Sequence, residues 1–162
     1  MTENNISWAE YDMLITSVGM DIANEYLNIT HRKHLIVGMN RGGLPAAVHL
    51  SHILELPMTI INYRRLDGVA ETKPELFHQL DTDINNFGGI ILVDEIHDSG
   101  HSMNICKEYL KSMYPDIAVV SAVLVYNTHF DGIKKESYDV EFSGRVINTS
   151  KEHPWVNFPW EA

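Results

Sequence analysis

Apolar residues recur along this chain with two different periods, and the two periods alternate. Ser7 and Glu10 form an S-x-x-E pattern that opens a helix. Trp8, Tyr11, Leu14, Ile15, Val18, Ile22, Tyr26 and Leu27 then fall on one face of it, with Trp8 as a core anchor. Leu35 to Met39 is a continuous apolar run, the signature of a buried strand. It leads through Asn40-Arg41-Gly42-Gly43-Leu44-Pro45 into a helix carrying Ala46, Ala47, Leu50, Ile53 and Leu54. Met58 to Asn62 and Ile90 to Val93 are further strands. After the second, Met103, Cys106, Tyr109, Leu110 and Met113 return to helical spacing, and Pro115 marks the stop. Ile117 to Tyr126 is another buried strand, and residues 138–148 supply one or two short ones. Strands alternating with helices predict an α/β fold with a parallel sheet and ligand sites at the strand C-terminal ends.

Two segments break the rhythm. From Tyr63 to Asn86 the chain is polar and long for a connection, which predicts a mobile lid or a small hairpin. His31-Arg32-Lys33-His34 reads as a solvated basic turn.

Composition narrows the function. At 162 residues one domain, 1–162, is expected. An apolar fraction of 44% excludes wholesale disorder. The net charge of −10 argues against a nucleic-acid or membrane surface, so a polyanionic ligand must be held by local donors and a metal. Cys106 is the sole cysteine, which excludes an intrachain disulfide and suggests a buried thiol. The start, M-T-E-N-N, lacks the basic and apolar parts of a signal peptide, and Ile117 to Tyr126 is too short to span a bilayer. A cytoplasmic protein is expected.

The candidate chemistry lies in the two strand–loop–helix units. After Ile90–Val93 come Asp94 and Glu95, then Asp98-Ser99-Gly100-His101-Ser102 and a helix start. Helix starts carry unpaired N–H groups and partial positive charge, so they attract phosphate. Ser99 and Ser102 can add hydroxyl donors. Asp94 and Glu95 repel a phosphate but suit sugar hydroxyls or a hard cation such as Mg²⁺. A phosphate grip beside such acids is a site for a sugar phosphate. In the other unit, Gly42 and Gly43 let backbone approach an anion, and Arg41 adds a planar cation.

The string from Ile90 to Ser102 resembles the phosphoribosyl pyrophosphate (PRPP) signature of the type I phosphoribosyltransferases, with every signature position filled. The Arg41-Gly42-Gly43 loop is similar to that family's pyrophosphate loop. Family members often hold a cis peptide before the matching Arg, here Asn40–Arg41. The tail Trp155-Val156-Asn157-Phe158-Pro159-Trp160-Glu161 resembles the W-I-x-x-P-W-[DE] segment of the xanthine–guanine enzymes. The resemblance implies a central, mostly parallel sheet flanked by helices, with a small hood or flexible loop.

It also implies a reaction, in which a purine base (xanthine, guanine or hypoxanthine) takes the phosphoribosyl group from PRPP and pyrophosphate leaves, with Mg²⁺. Asp94, Glu95, Asp98, Ser99, Gly100, His101 and Ser102 would hold the ribose and 5′-phosphate. Arg41, Gly42 and either Arg64 or Arg65 would hold pyrophosphate. Glu95 and Asp94 would hold the metal. Asp98 would act as acid or base at purine N7, or else only cap its loop. Trp155 would stack on the purine, Val156 would meet its edge, and Trp160 and Glu161 would close the tail. Members acting on 6-oxopurines carry a Lys for the 6-oxygen where this chain has Asn127, whose uncharged amide could donate to the same base carbonyl, with Lys134 and Lys135 nearby as substitutes. A homo-oligomer, dimer or tetramer, is implied. The alternative is a sensor of PRPP or nucleotide on the same fold, without transferase activity.

Overall fold

A computed structural model of the chain describes residues 4–29, 32–64, 72–77, 83–128, 140–148 and 155–161. A six-stranded sheet runs β4-β3-β2-β5-β6-β7, built from β2 (Leu35–Asn40), β3 (Met58–Asn62), β4 (Glu75–Leu76), β5 (Ile90–His97), β6 (Val119–Asn127) and β7 (Phe142–Ile147). All neighbours in it are parallel except β4, which pairs antiparallel with β3. Two short strands, β1 (Asn4–Asn5) and β8 (Val156–Asn157), pair in parallel and join the chain's two ends. Three helices cover the sheet: α1 (Trp8–Glu25), α2 (Leu44–Leu54) and α3 (His101–Met113). Among the described residues no helix is long and apolar enough to cross a membrane.

Strand alternation divides the core into two layers. Ile36, Ile91, Val93 and Leu124 face α1 and α2, where they meet Ile15, Ile22 and Leu50. Leu35, Val37, Ile90, Leu92 and Val123 face α3, where they meet Met103, Cys106 and Leu110. Continuous apolar runs in β2 and β5 follow from burial on both faces, and each fully buried Leu, Ile or Val adds about 1.5–3 kcal/mol.

Ser7 caps α1, its hydroxyl accepting from the Glu10 N–H at 3.1 Å. The Glu10 carboxylate pairs with Arg145 of β7 at 2.9 Å, which ties the helix start to the sheet edge. Trp8 is no core anchor: it is 62% exposed, and the buried face of the helix begins at Tyr11. Its ring instead meets Tyr11 and Trp160.

Two other expectations change, and a third is met in part. β5 does not stop at Val93 but runs to His97, because Asp94, Ile96 and His97 pair with Val123, Val125 and Tyr126 of β6. His34 is buried, not solvated, and its imidazole pKa is lowered by burial, with a hydrogen bond to the Arg32 backbone acting in the opposite sense. Gly89 leaves the space for it: a Cβ there would collide with the Tyr26 hydroxyl and lie 2.8 Å from His34 Cδ2. Between Tyr63 and Asn86 the described part is a hairpin strand, β4, and a 3₁₀ turn at Ile84–Asn86. The lid expectation otherwise lies outside the described residues.

Candidate functional site

Strand order reverses between β2 and β5: β3 and β4 continue to one side of β2, β6 and β7 to the other side of β5. A crevice opens at such a point, outside the C-terminal ends of the two strands. The loops after β2 and β5 flank it, and both sequence-predicted loops are those loops.

The loop after β5 is a helix start with open donors. Gly100 takes the left-handed conformation, φ 85° and ψ 2°, and caps α3. The first N–H to bond back is that of Asn104, to the Gly100 carbonyl at 2.9 Å. The N–H groups of His101, Ser102 and Met103 precede it. Ser99 Oγ accepts from His101 N at 3.3 Å, which folds the turn upon itself. The N–H groups of Ser102 and Met103 therefore face the start of the helix with its partial positive charge. His101 packs its ring toward Tyr63 at the end of β3, centroids 6.4 Å apart.

The acids sit beside this turn. Asp94 Oδ1 accepts from the Glu95 N–H at 3.0 Å. Burial, and then the neighbouring Glu95 carboxylate, hold the Asp94 carboxyl well above the usual carboxylate range, with Asp98 adding in the same direction. A hydrogen bond between the Asp94 and Glu95 side chains acts in the same raising direction. The Asp94 charge is felt by Cys106 on the α3 side, where burial and that charge push the thiol up to about 12. Cys106 is fully buried, so it is a core thiol, as its sequence position suggested. Glu95 points to the α2 side and lies against Gly42, and its buried Oε2 has no partner among the described residues.

The loop after β2 is pressed onto the same acids. The Asn40–Arg41 peptide is cis. A Cβ on Gly43 would lie 2.5 Å from the Val93 carbonyl oxygen and 2.8 Å from Asp94 Cα; one on Gly42 would overlap the Glu95 carboxylate. These glycines serve close approach, not an unusual φ, since among the described glycines only Gly100 has a positive one. Asn40 Nδ2 donates to Asn62 Oδ1 at 3.1 Å, linking the ends of β2 and β3. Arg41 is exposed and lines a groove of about 740 Å³ with Trp8, Tyr11, Pro45, Val48 and His49.

The remaining sequence candidates are less concentrated. Arg64 is exposed at the end of β3, its backbone bonded to the Thr72 hydroxyl. Arg65, Lys134 and Lys135 lie outside the described residues. Trp155 is 70% exposed. Val156 buries its side chain in the α1 core layer and its backbone stands opposite Asn4. Trp160 stacks on Phe158 and meets Tyr11 edge-on, and Glu161 accepts from the Phe158 N–H at 2.8 Å, so the tail's end is packed structure. Asn127, at the end of β6, is 1% exposed and donates from Nδ2 to Asp98 Oδ1 at 3.2 Å. Sequence reasoning assigned Asn127 to the base and missed this bond. The parallel register carries the signal, because His97 opposite Tyr126 sets the next pair, Asp98 and Asn127, side by side.

Comparison with known proteins adds a family. The phosphoribosyl transferase domain matches residues 12–161. No curated protein matches the chain. Among solved structures, the chain is similar to a purine phosphoribosyltransferase from Pyrococcus horikoshii Ot3, at 23% identity and a TM-score of 0.73, covering 100% of this chain and 96% of that one. It is similar to the xanthine-guanine-hypoxanthine phosphoribosyltransferase of Helicobacter pylori, at 20% identity and a TM-score of 0.72, covering 99% and 94%. A hypothetical protein from Neisseria gonorrhoeae with bound ppGpp is similar at 22% identity and a TM-score of 0.70, covering 100% and 92%. At these identities the likeness concerns the fold.

Proposed function

The chain belongs to the phosphoribosyl transferase domain family, and from that premise we propose that it transfers the 5-phosphoribosyl group of PRPP to a purine base, xanthine, guanine or hypoxanthine, with release of pyrophosphate. One observation supports this most: a positive-φ glycine opens a helix start beside Asp94, Glu95 and Asp98, at the point where strand order reverses. That arrangement suits one ligand that is anionic at one end and a polyol at the other.

The Ser102 and Met103 N–H groups, with the Ser99 and Ser102 hydroxyls, bind the 5′-phosphate. Asp94 and Glu95 accept from the ribose hydroxyls. Arg41, the Gly42 backbone and Arg64 bind pyrophosphate. Mg²⁺ fits the donors present: Glu95 keeps a buried carboxylate oxygen with no partner among the described residues, and that carboxylate lies on the Gly42 loop, where a dianion needs a cation between like charges. A cation of this kind is commonly held by one or two carboxylates and the substrate's own oxygens. When bound, Mg²⁺ neutralises charge on the departing pyrophosphate. Asp98 takes or holds a proton at purine N7 while the ribose carbon becomes cationic. Trp155 offers a stacking face, worth on the order of 1 kcal/mol, and the Val156 backbone meets the base edge. This reading makes residues 1–162 one cytoplasmic salvage domain, acting as a homo-oligomer.

Incubating the protein with PRPP, Mg²⁺ and each of several bases, while following pyrophosphate, tests the proposal. Release with at least one base is expected. Tight PRPP binding with no release from any base would replace it with the second reading, a regulatory protein that senses PRPP or nucleotide. The similarity to a protein that holds ppGpp favours that second reading.

A further inference from the structure

Asn127 stands where the resemblance puts a contact to the base, yet its geometry points elsewhere. It ends β6 with its backbone opposite Ile147 of β7, and the next residue, Thr128, bonds the Ile147 carbonyl through both N–H and hydroxyl, at 2.9 and 3.1 Å. The backbone is clamped, and the side chain is 1% exposed. From that buried slot Nδ2 donates to Asp98 Oδ1 at 3.2 Å. The amide orientation follows from chemistry: an ionised carboxylate only accepts, so the nitrogen must face it.

We infer that Asn127 is a positioning residue for Asp98 and not a specificity contact for the purine. By engaging Oδ1 it holds the direction in which the carboxylate is presented to substrate. A neutral donor does this without the ion pair that a lysine would form beside Asp98. Asp98 opens the loop directly after β5, and Asn127 ends β6, so the carboxylate is held from the neighbouring strand as well as by its own loop. Discrimination among bases then falls to groups other than Asn127. The inference rests on the proposed transfer reaction, since only there does the direction of Asp98 matter.

Two cycles on the purified chain test it. The first needs no activity: melting temperatures of Asp98→Ala, Asn127→Ala and the double variant. Pairing predicts that the double variant melts close to the worse single one; shifts that simply add would overturn it. The second follows pyrophosphate release with two purine bases. Asn127→Ala is expected to lower kcat about 10- to 100-fold for both bases alike, with KM for base and PRPP held within about twofold. Added to Asp98→Asn, it should lower kcat no further. A change in the ratio of kcat/KM between the bases at unchanged kcat would overturn the inference and restore the base contact. Asn127→Leu, of the same shape but without a donor, serves both cycles if the alanine variant does not fold. A wild type that is silent with every base defeats the proposed function and the catalytic half of this inference with it, while the melting cycle still decides the pairing.

Discussion

The units β2–loop–α2 and β5–loop–α3 have the same topology and lie side by side, but they use glycine for opposite reasons. Gly100 is needed for its own backbone, at φ 85°. Gly43 has an ordinary helical conformation, φ −74° and ψ −11°, and is needed because β5 passes against it. One loop is thus specified by local conformation and the other by its neighbour. The β5 loop is a self-contained helix start, while the β2 loop is pressed onto the acids of β5.

Alanine substitutions separate the two. Gly43→Ala drives a methyl into the Val93 carbonyl and Asp94 Cα, backbone that cannot step aside. A loss of about 2–3 kcal/mol in chemical denaturation is expected; a loss below that of Gly100→Ala would break the contrast. Gly100→Ala should cost about 1–2 kcal/mol, the penalty of a left-handed non-glycine residue, whatever surrounds it. Gly42→Ala meets only the end of the flexible Glu95 side chain. Its stability should stay within about 0.5 kcal/mol of wild type, while calorimetric PRPP affinity in Mg²⁺ falls as Glu95 is displaced. Unchanged affinity would detach Glu95 from the site.

The smallest effect is a control at the start of β7, away from both loops. Burial alone would raise the Glu141 carboxyl, but hydrogen bonds from Lys107, at 2.7 Å, and from the Ser121 hydroxyl and N–H hold it below its ordinary value of 4.5. A folded pKa below the unfolded one adds stability that is present above the unfolded value and lost as pH falls through the folded one. The melting advantage of wild type over Glu141→Gln should therefore be constant near neutrality and shrink below about pH 4.5. PRPP affinity should not follow it.

The same contrast accounts for what the sequence made legible. Local signals were read well: the cap at Ser7, the strand Met58–Asn62, the buried thiol, and the turn opening at Asp98, although α3 begins at His101 and the turn is two residues shorter than expected. What failed depended on partners distant in sequence. Acids at 94 and 95 looked like a strand end, but pairing with β6 carries β5 on to His97. His34 looked solvated in a basic run, and only Gly89 and Tyr26 show how it is buried. Trp8 had helical phase with the core but stays exposed against Tyr11 and Trp160. Asn127 carried no sign of Asp98 until the register of β5 on β6 was known. The helix start at Gly100 was legible because it is a local backbone device; the Asn127–Asp98 bond was not, because its partners lie 29 residues apart in the chain.

The most direct test of the central claim is a crystal structure of the protein with ribose 5-phosphate. The account predicts the phosphate against the Ser102 and Met103 N–H groups, with the ribose hydroxyls toward Asp94 and Glu95. A sugar phosphate bound elsewhere, with the turn at Gly100 left empty, would contradict it.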